Sequence, residues 1–249
     1  MSVVSVHQPS VLATIAHELR NPLSALQTTS ELLDRDLDSL DQAQVRSMVS
    51  SIHRRALWLR GLMENLLTTA TIRDGRFQIV RRPTDLRAVV DEARPIVEPL
   101  LARKQQRLRV RSRATLPLIA GDERRLAQVL INLVTNASKY SGINTPIDVT
   151  LSVRRGAVQA VVSDRGPGIS ADVLAGLFEP YYRAGRSDGD GIGIGLSVVR
   201  SIVEAHGGQV GVKNRAGGGA SFWFQIAAIT TAASAASSEN GGEYERRLG

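Results

Sequence analysis

Two apolar stripes with heptad spacing restrict what the first third of this chain can fold into. Leu12, Ala16, Leu19, Leu23, Leu26, Ser30, Leu33 and Leu37 step by four and three, and only Ser30 is polar. Val45, Val49, Ile52, Ala56, Leu59, Met63, Leu66 and Ala70 repeat the spacing with no polar member. Side chains at this period line one side of a helix, so two helices are predicted. The polar stretch from Asp34 to Gln44 is long enough only to reverse the chain, which makes the pair an antiparallel hairpin. Two helices alone leave much of each stripe in water. A second copy of the hairpin would cover it in a four-helix bundle, so a homodimer is expected; packing against the rest of the same chain is the alternative.

Arg73-Asp74-Gly75-Arg76 interrupts the second stripe and reads as a linker, and the pattern beyond it changes. Ile147, Val149, Leu151 and Val153 alternate with polar residues, Arg154-Arg155-Gly156 turns, and Val158, Ala160 and Val162 alternate again up to Asp164. That is the pattern of a β-hairpin. Phe222, Phe224 and Ile226 mark a further strand, and helical patterns run from Asp122 to Tyr140 and from Leu196 to His206, the latter closed by Gly207-Gly208. The expected organisation is an α-helical hairpin over residues 1–75, a mixed α/β domain over 76–229, and a disordered Ala/Ser-rich tail over 230–249.

Composition narrows the function. With 249 residues, 43% hydrophobic and 22% charged, the chain is of ordinary globular make-up and holds one or two domains. The absence of cysteine removes disulfides and thiolate metal sites. Aromatics at 4% are too sparse to stack single-stranded bases. The net charge of +7 fits an anionic partner, but the arginines are scattered, and no basic recognition helix marks a nucleic-acid binder. No run reaches the roughly 18 apolar residues of a membrane-spanning helix. Residues 1–8 lack both the basic and the apolar parts of a secretory signal. A cytoplasmic location is expected.

The first reactive group is His17, within Ala16-His17-Glu18-Leu19-Arg20-Asn21-Pro22. It lies beside the seam residues Leu19 and Leu23, so its ring should reach solvent. An imidazole with an ordinary pKa of about 6.5 is a neutral nucleophile at neutral pH. Glu18 could take the Nδ1 proton and present Nε2 for attack. Asn21, four residues on, projects from the same face. Pro22 removes one helical N–H and bends the reactive turn. The remaining histidines, His7, His53 and His206, read as structural; at a helix C-terminus His206 would carry partial positive charge.

Four further segments outline a nucleotide pocket. Asn132, Asn136, Lys139 and Tyr140 form one helical stripe beside the apolar face of Leu126, Val129, Leu130, Leu133 and Ala137. Carboxamide oxygens and an ammonium suit a polyphosphate that carries Mg²⁺. Asp164 at a strand end, followed by Gly166 and Gly168, places a fixed carboxylate beside a turn that a flat ligand can approach. Gly189-Asp190-Gly191-Ile192-Gly193-Ile194-Gly195-Leu196 leads into a helix, where backbone N–H groups can bind phosphate. Its spacing matches neither a dinucleotide fingerprint nor a P-loop. Phe178 to Arg183 supplies an aromatic anchor for a mobile lid.

Taken together and in this order, the segments resemble the bacterial sensor histidine kinases of two-component systems. His17 to Pro22 resembles the H-box, Asn132 to Tyr140 the N-box, and Asp164 to Gly168 the G1 box. Phe178 to Arg183, Gly191 to Leu196 and Gly217 to Phe222 resemble the F, G2 and final glycine boxes. The resemblance covers about residues 10–228. It implies a dimerisation and histidine-phosphotransfer hairpin joined to a Bergerat-type ATP-binding domain, a two-layer α/β sandwich of the GHKL class.

The resemblance also implies roles. Asp164 would bind the adenine amino group and Asn136 would coordinate Mg²⁺, with Asn132 and Lys139 contacting the phosphates. Tyr140 would flank the base; Gly166, Gly168, Gly191, Gly193, Gly195 and Leu196 would shape the pocket and its lid. His17 would accept the γ-phosphoryl group of ATP, with Glu18 as base, and pass it to an aspartate of a response-regulator receiver domain. Asn21 would orient the water that dephosphorylates that regulator. Arg165 and Ala220 depart from the usual pattern. Asn132 stands where related water-activating ATPases carry Glu, which fits transfer to a side chain. A phosphatase-dominant enzyme and a non-catalytic ATP-binding dimer scaffold remain as alternatives.

Overall fold

The computed structural model describes residues 11–113, 115–182 and 192–229. The expected tail over 230–249 and the lid residues 183–191, Gly191 among them, lie outside the described residues.

Helix α1, Val11–Asp36, runs unbroken through Pro22. A single 3₁₀ turn, Leu37–Ser39, reverses the chain into α2, Gln42–Arg73. Asp41 starts α2 with a capping box. Its side chain accepts from the Gln44 N–H at 2.7 Å, and the Gln44 side chain accepts from the Asp41 N–H at 2.9 Å. Two otherwise unsatisfied donors are thereby used, which fixes the end of the turn. The hairpin leaves part of its seam uncovered: Leu23, Val49 and Met63 are 56%, 49% and 61% exposed.

Beyond the hairpin come β1 (Arg82–Thr84), α3 (Leu86–Ala102), β2 (Arg107–Ser112), β3 (Ile119–Gly121) and α4 (Glu123–Tyr140). They are followed by β4 (Pro146–Arg154), β5 (Ala157–Ser163), α5 (Ala171–Leu174), α6 (Gly195–Ala205), β6 (Gln209–Asn214) and β7 (Ala220–Ala227). Five strands form one sheet in the order β2-β4-β5-β7-β6, parallel only between β2 and β4, while β1 and β3 pair separately. The predicted hairpin is β4–β5. It closes through Arg155 and Gly156 at φ 49° and 78°, the two left-handed residues of a tight hairpin turn.

Period-two alternation puts Ile147, Val149 and Leu151 of β4, Val158, Ala160 and Val162 of β5, and Phe222, Phe224 and Ile226 of β7 on one buried face. Helices α3, α4 and α6 cover that face with Val89, Val97, Leu126, Leu130, Leu133, Val199 and Ile202. The result is the expected two-layer sandwich: a sheet with one wet face, and helices on the other.

Sequence reading had not resolved α3, which carries Pro95 and Pro99 inside it, nor the short strands β1, β2, β3 and β6. His206 does not carry the partial positive charge expected at a helix C-terminus. That ring is buried, and burial holds its pKa below the ordinary value. Nε2 accepts from the Asp122 N–H at 2.9 Å, while Nδ1 lies 2.7 Å from the Ile202 carbonyl, to which it donates. This is the pattern of a neutral imidazole that ties α6 to the start of α4.

The two domains touch. Leu62 of α2 is buried with Ile192 and Ile194, which precede α6, and Ile15, Leu19, Trp58, Leu66 and Tyr181 pack around them.

Candidate active site

Strand β5 delivers Asp164 to its end, where the carboxylate is buried. Oδ1 accepts from the Gly166 N–H at 2.8 Å and the Ala220 N–H at 3.1 Å. No described residue bonds Oδ2, so a fixed acceptor faces the adjoining cavity. The turn after Asp164 needs its glycines. A Cβ on Gly166 would stand 2.8 Å from the Tyr140 carbonyl oxygen, and Gly168 has φ 82° with Asn214 Oδ1 beside it. Asn214 pins this turn by accepting from the Ile169 N–H at 2.8 Å and donating to the Ile169 carbonyl at 2.7 Å. Arg215 donates to the Asp164 carbonyl at 2.5 Å. Neither Asn214 nor Arg215 stood out in the sequence, because their partners are 45 and 51 residues away. Arg165 spends its guanidinium on buried Asp148 at 2.5 Å.

Helix α4 forms the facing wall. Asp122 caps it, accepting from the Arg125 N–H at 3.1 Å. The apolar stripe is buried as the period predicts, and this directs Asn132, Asn136, Lys139 and Tyr140 to the cavity. The Asn136 carboxamide has no hydrogen-bond partner among the described residues. The Lys139 ammonium lies 5.3 Å from the centre of the Tyr140 ring, a cation–π distance. Gly193 has φ 79°, and a Cβ there would lie 2.8 Å from the Tyr182 carbonyl. Tyr181 N–H donates to the Gly193 carbonyl at 3.0 Å, which ties the segment before α6 to the aromatic anchor. Gly195 and Leu196 open α6 at the same wall.

These groups line a cavity of about 1980 Å³ that continues to the hairpin, where Glu18, Asn21 and Pro22 also line it. His17 is exposed on α1. Asn21 Nδ2 donates to its Nδ1 at 3.3 Å, so in this arrangement the group at Nδ1 is Asn21 rather than Glu18. Among the described residues no cluster of His, Asp and Glu could hold a metal ion, and no helix is long and apolar enough to cross a membrane.

Comparison with known proteins agrees with this geometry. Residues 10–75 match the His Kinase A (phospho-acceptor) domain family, and residues 121–229 match the family of histidine kinase-, DNA gyrase B- and HSP90-like ATPases. The chain is 34% identical over 214 residues to the sensor protein KdpD of Escherichia coli, covering 86% of this chain and 24% of that protein. It is 33% identical over 223 residues to the adaptive-response sensory kinase SasA of Thermosynechococcus vestitus, covering 87% and 59%. The chain therefore spans less than two thirds of the length of these relatives. The crystal structure of full-length ShkA in complex with AMPPNP superposes with a TM-score of 0.61 at 29% identity, covering 88% of this chain and 46% of that one. A phospho-acceptor hairpin followed by a GHKL-type ATPase domain places the chain in the sensor histidine kinase family, as its catalytic core.

Proposed function

We propose that the chain is an ATP-dependent protein histidine kinase that phosphorylates itself on His17 and passes the phosphoryl group to an aspartate of a response-regulator receiver domain. The observation that carries this is the single cavity joining Asp164 and Asn136 to Glu18 and Asn21 beside the exposed His17. In the transfer, His17 Nε2 forms a bond to the γ-phosphorus while the bond from that phosphorus to the β–γ bridging oxygen breaks, and ADP leaves. Such reactions depend mainly on positioning and charge neutralisation.

The free Oδ2 of Asp164 fits the amino group of adenine, and Tyr140 flanks the ring. Asn132 and Lys139 attend the phosphates, with Gly193 and Gly195 at the lid end. The unpartnered Asn136 carboxamide offers the neutral oxygen that Mg²⁺ accepts; the ion, when bound, neutralises phosphate charge. For the nucleophile, the Nδ1 proton has to reside where Glu18 can take it, so Asn21 must let go of Nδ1 first.

Residues 1–75 act as the dimerisation and phosphotransfer unit and 76–229 as the ATP-binding unit. The half-exposed Leu23, Val49 and Met63 support a homodimer in which a second hairpin covers them. Asn21 beside His17 supports phosphatase activity toward the regulator. The test is transfer from chain labelled with [γ-³²P]ATP to receiver domains. Label should pass to an aspartate of at least one receiver, and a labelled chain that transfers to none would contradict the proposal.

A further inference from the structure

Asn132, read above as a phosphate contact, is already engaged. Its Nδ2 donates to Asn65 Oδ1 at 2.9 Å, and Asn65 Nδ2 donates back to Asn132 Oδ1 at 2.8 Å. The two carboxamides form a closed pair between α2 of the hairpin and α4 of the ATP-binding domain. Neighbouring groups reinforce it. Gln128 Nε2 donates to Asn65 Oδ1 at 3.1 Å and to Thr68 Oγ1 at 3.2 Å. Arg125 Nη1 reaches Thr68 Oγ1 at 3.2 Å and Gln128 Oε1 at 3.3 Å. Asn65, Thr68 and Gln128 are all buried, so the network lies in a medium where hydrogen bonds are strong and broken ones costly.

We propose that Asn65 competes with nucleotide phosphates for the Asn132 carboxamide, so that docking of the hairpin on α4 and binding of the triphosphate oppose each other. The proposal rests on the reading of Asn132 as a phosphate contact. The reciprocal pair uses its oxygen and one of its two N–H groups and fixes the plane of the amide toward α2. A side chain with two rotatable bonds cannot keep that pair and also turn toward a ligand in the cavity. Asn132 also sits against the start of α6: its Oδ1 is 3.8 Å from the position of a Cβ on Gly195, the first residue of that helix. A phosphate that captures Asn132 therefore withdraws one reciprocal polar contact between the domains, beside the start of α6. Docking is weakened by that much, which favours the movement that carries the nucleotide toward His17, although the contact of Leu62 with Ile192 and Ile194 still has to part. Asn65 is in this sense a positioning residue, and its effect is confined to ligands that carry phosphates.

Calorimetric titration of the full chain tests this with three ligands: adenosine, ADP and a non-hydrolysable ATP analogue. Asn65→Ala should bind the triphosphate about three- to thirty-fold more tightly, the equivalent of one or two net hydrogen bonds, and leave adenosine unchanged. Asn65→Ser, a smaller disturbance of the buried network, should shift the triphosphate in the same direction should the alanine variant not fold. Asn132→Ala should weaken the triphosphate, and by more in the Asn65→Ala background than alone, because only there is the carboxamide fully available. An unchanged triphosphate affinity on Asn65 substitution, with Asn132→Ala still weakening it, would overturn the competition alone. So would an equal shift for adenosine. Triphosphate affinity indifferent to Asn132→Ala in both backgrounds would overturn the phosphate role of Asn132 together with the competition.

Discussion

The Asn21 side-chain nitrogen lies 3.3 Å from His17 Nδ1, one helical turn along α1. An amide nitrogen only donates, so Nδ1 is the acceptor and the proton of the neutral ring sits on Nε2, the atom that has to attack phosphorus. Asn21 thus holds His17 in the tautomer that does not attack. Asn21→Ala is expected to keep autophosphorylation at or above the wild-type rate, and to lower dephosphorylation of the phosphorylated regulator by about 10²- to 10⁴-fold, the span typical for loss of a group that positions a proton transfer. Parallel assays of chain labelling and of regulator dephosphorylation check both halves. Loss of labelling in Asn21→Ala would contradict the tautomer argument.

Asp164 presents a buried carboxylate whose Oδ1 is committed to two backbone donors. Asp164→Asn either turns an NH₂ toward those donors or turns it toward the ligand's own amino group. A hydrogen bond to a charged group contributes about 1.5–3 kcal/mol, so adenosine and ATP affinity should both fall by about 10- to 150-fold. Calorimetry with the two ligands checks it. A loss for ATP without one for adenosine would move Asp164 from the base to the phosphates.

Gly61 lies in the middle of α2, and no atom of the described residues stands within 4 Å of the position its Cβ would take. Glycine there costs helix stability, and an added methyl group would project into open space at the cavity wall. Gly61→Ala should raise the unfolding free energy by about 0.5–1 kcal/mol, visible as a higher urea midpoint for the hairpin transition. A lower midpoint would mean that this face of α2 is filled in the folded protein.

Burial holds the pKa of His206 below its ordinary value in the folded chain, while the unfolded chain titrates near 6.5. Below that pH the unfolded state binds more protons than the native one. The stabilisation from neutral His206 is therefore complete above about pH 6.5, declines as pH falls from there, and is lost once pH passes below the folded value. Urea midpoints of the wild type should drop more steeply between about pH 7 and pH 5 than those of His206→Gln. Parallel slopes would show that His206 is not the group responsible.

Much of this was legible in the sequence, for identifiable reasons. The stripe of Leu126, Val129, Leu130, Leu133 and Ala137 marked α4, and burial follows it residue by residue. Strict alternation marked β4, β5 and β7. Helix α3 was overlooked, although Leu86, Val89, Val90, Ala93, Val97 and Leu101 follow a helical period, because Pro95 and Pro99 argue against a helix interior. In β2, Arg107, Arg109 and Arg111 mask the alternation of Leu108 and Val110. His206 was given the wrong charge because its partner Asp122 is 84 residues away. The pairing of Asn65 with Asn132 was invisible for the same reason: each is an ordinary polar residue on its own helix, 67 residues from the other, and only the docking of the two domains makes them partners.

The central claim is that His17 receives the phosphoryl group of ATP. The most direct measurement is to incubate the chain with [γ-³²P]ATP and Mg²⁺, test the label for stability in acid and alkali, and map the modified residue by mass spectrometry. The account predicts an acid-labile, alkali-stable phosphate on His17 alone, absent from His17→Gln although that variant still binds ATP. Label of undiminished intensity in His17→Gln, or mapped to any other residue, would contradict it.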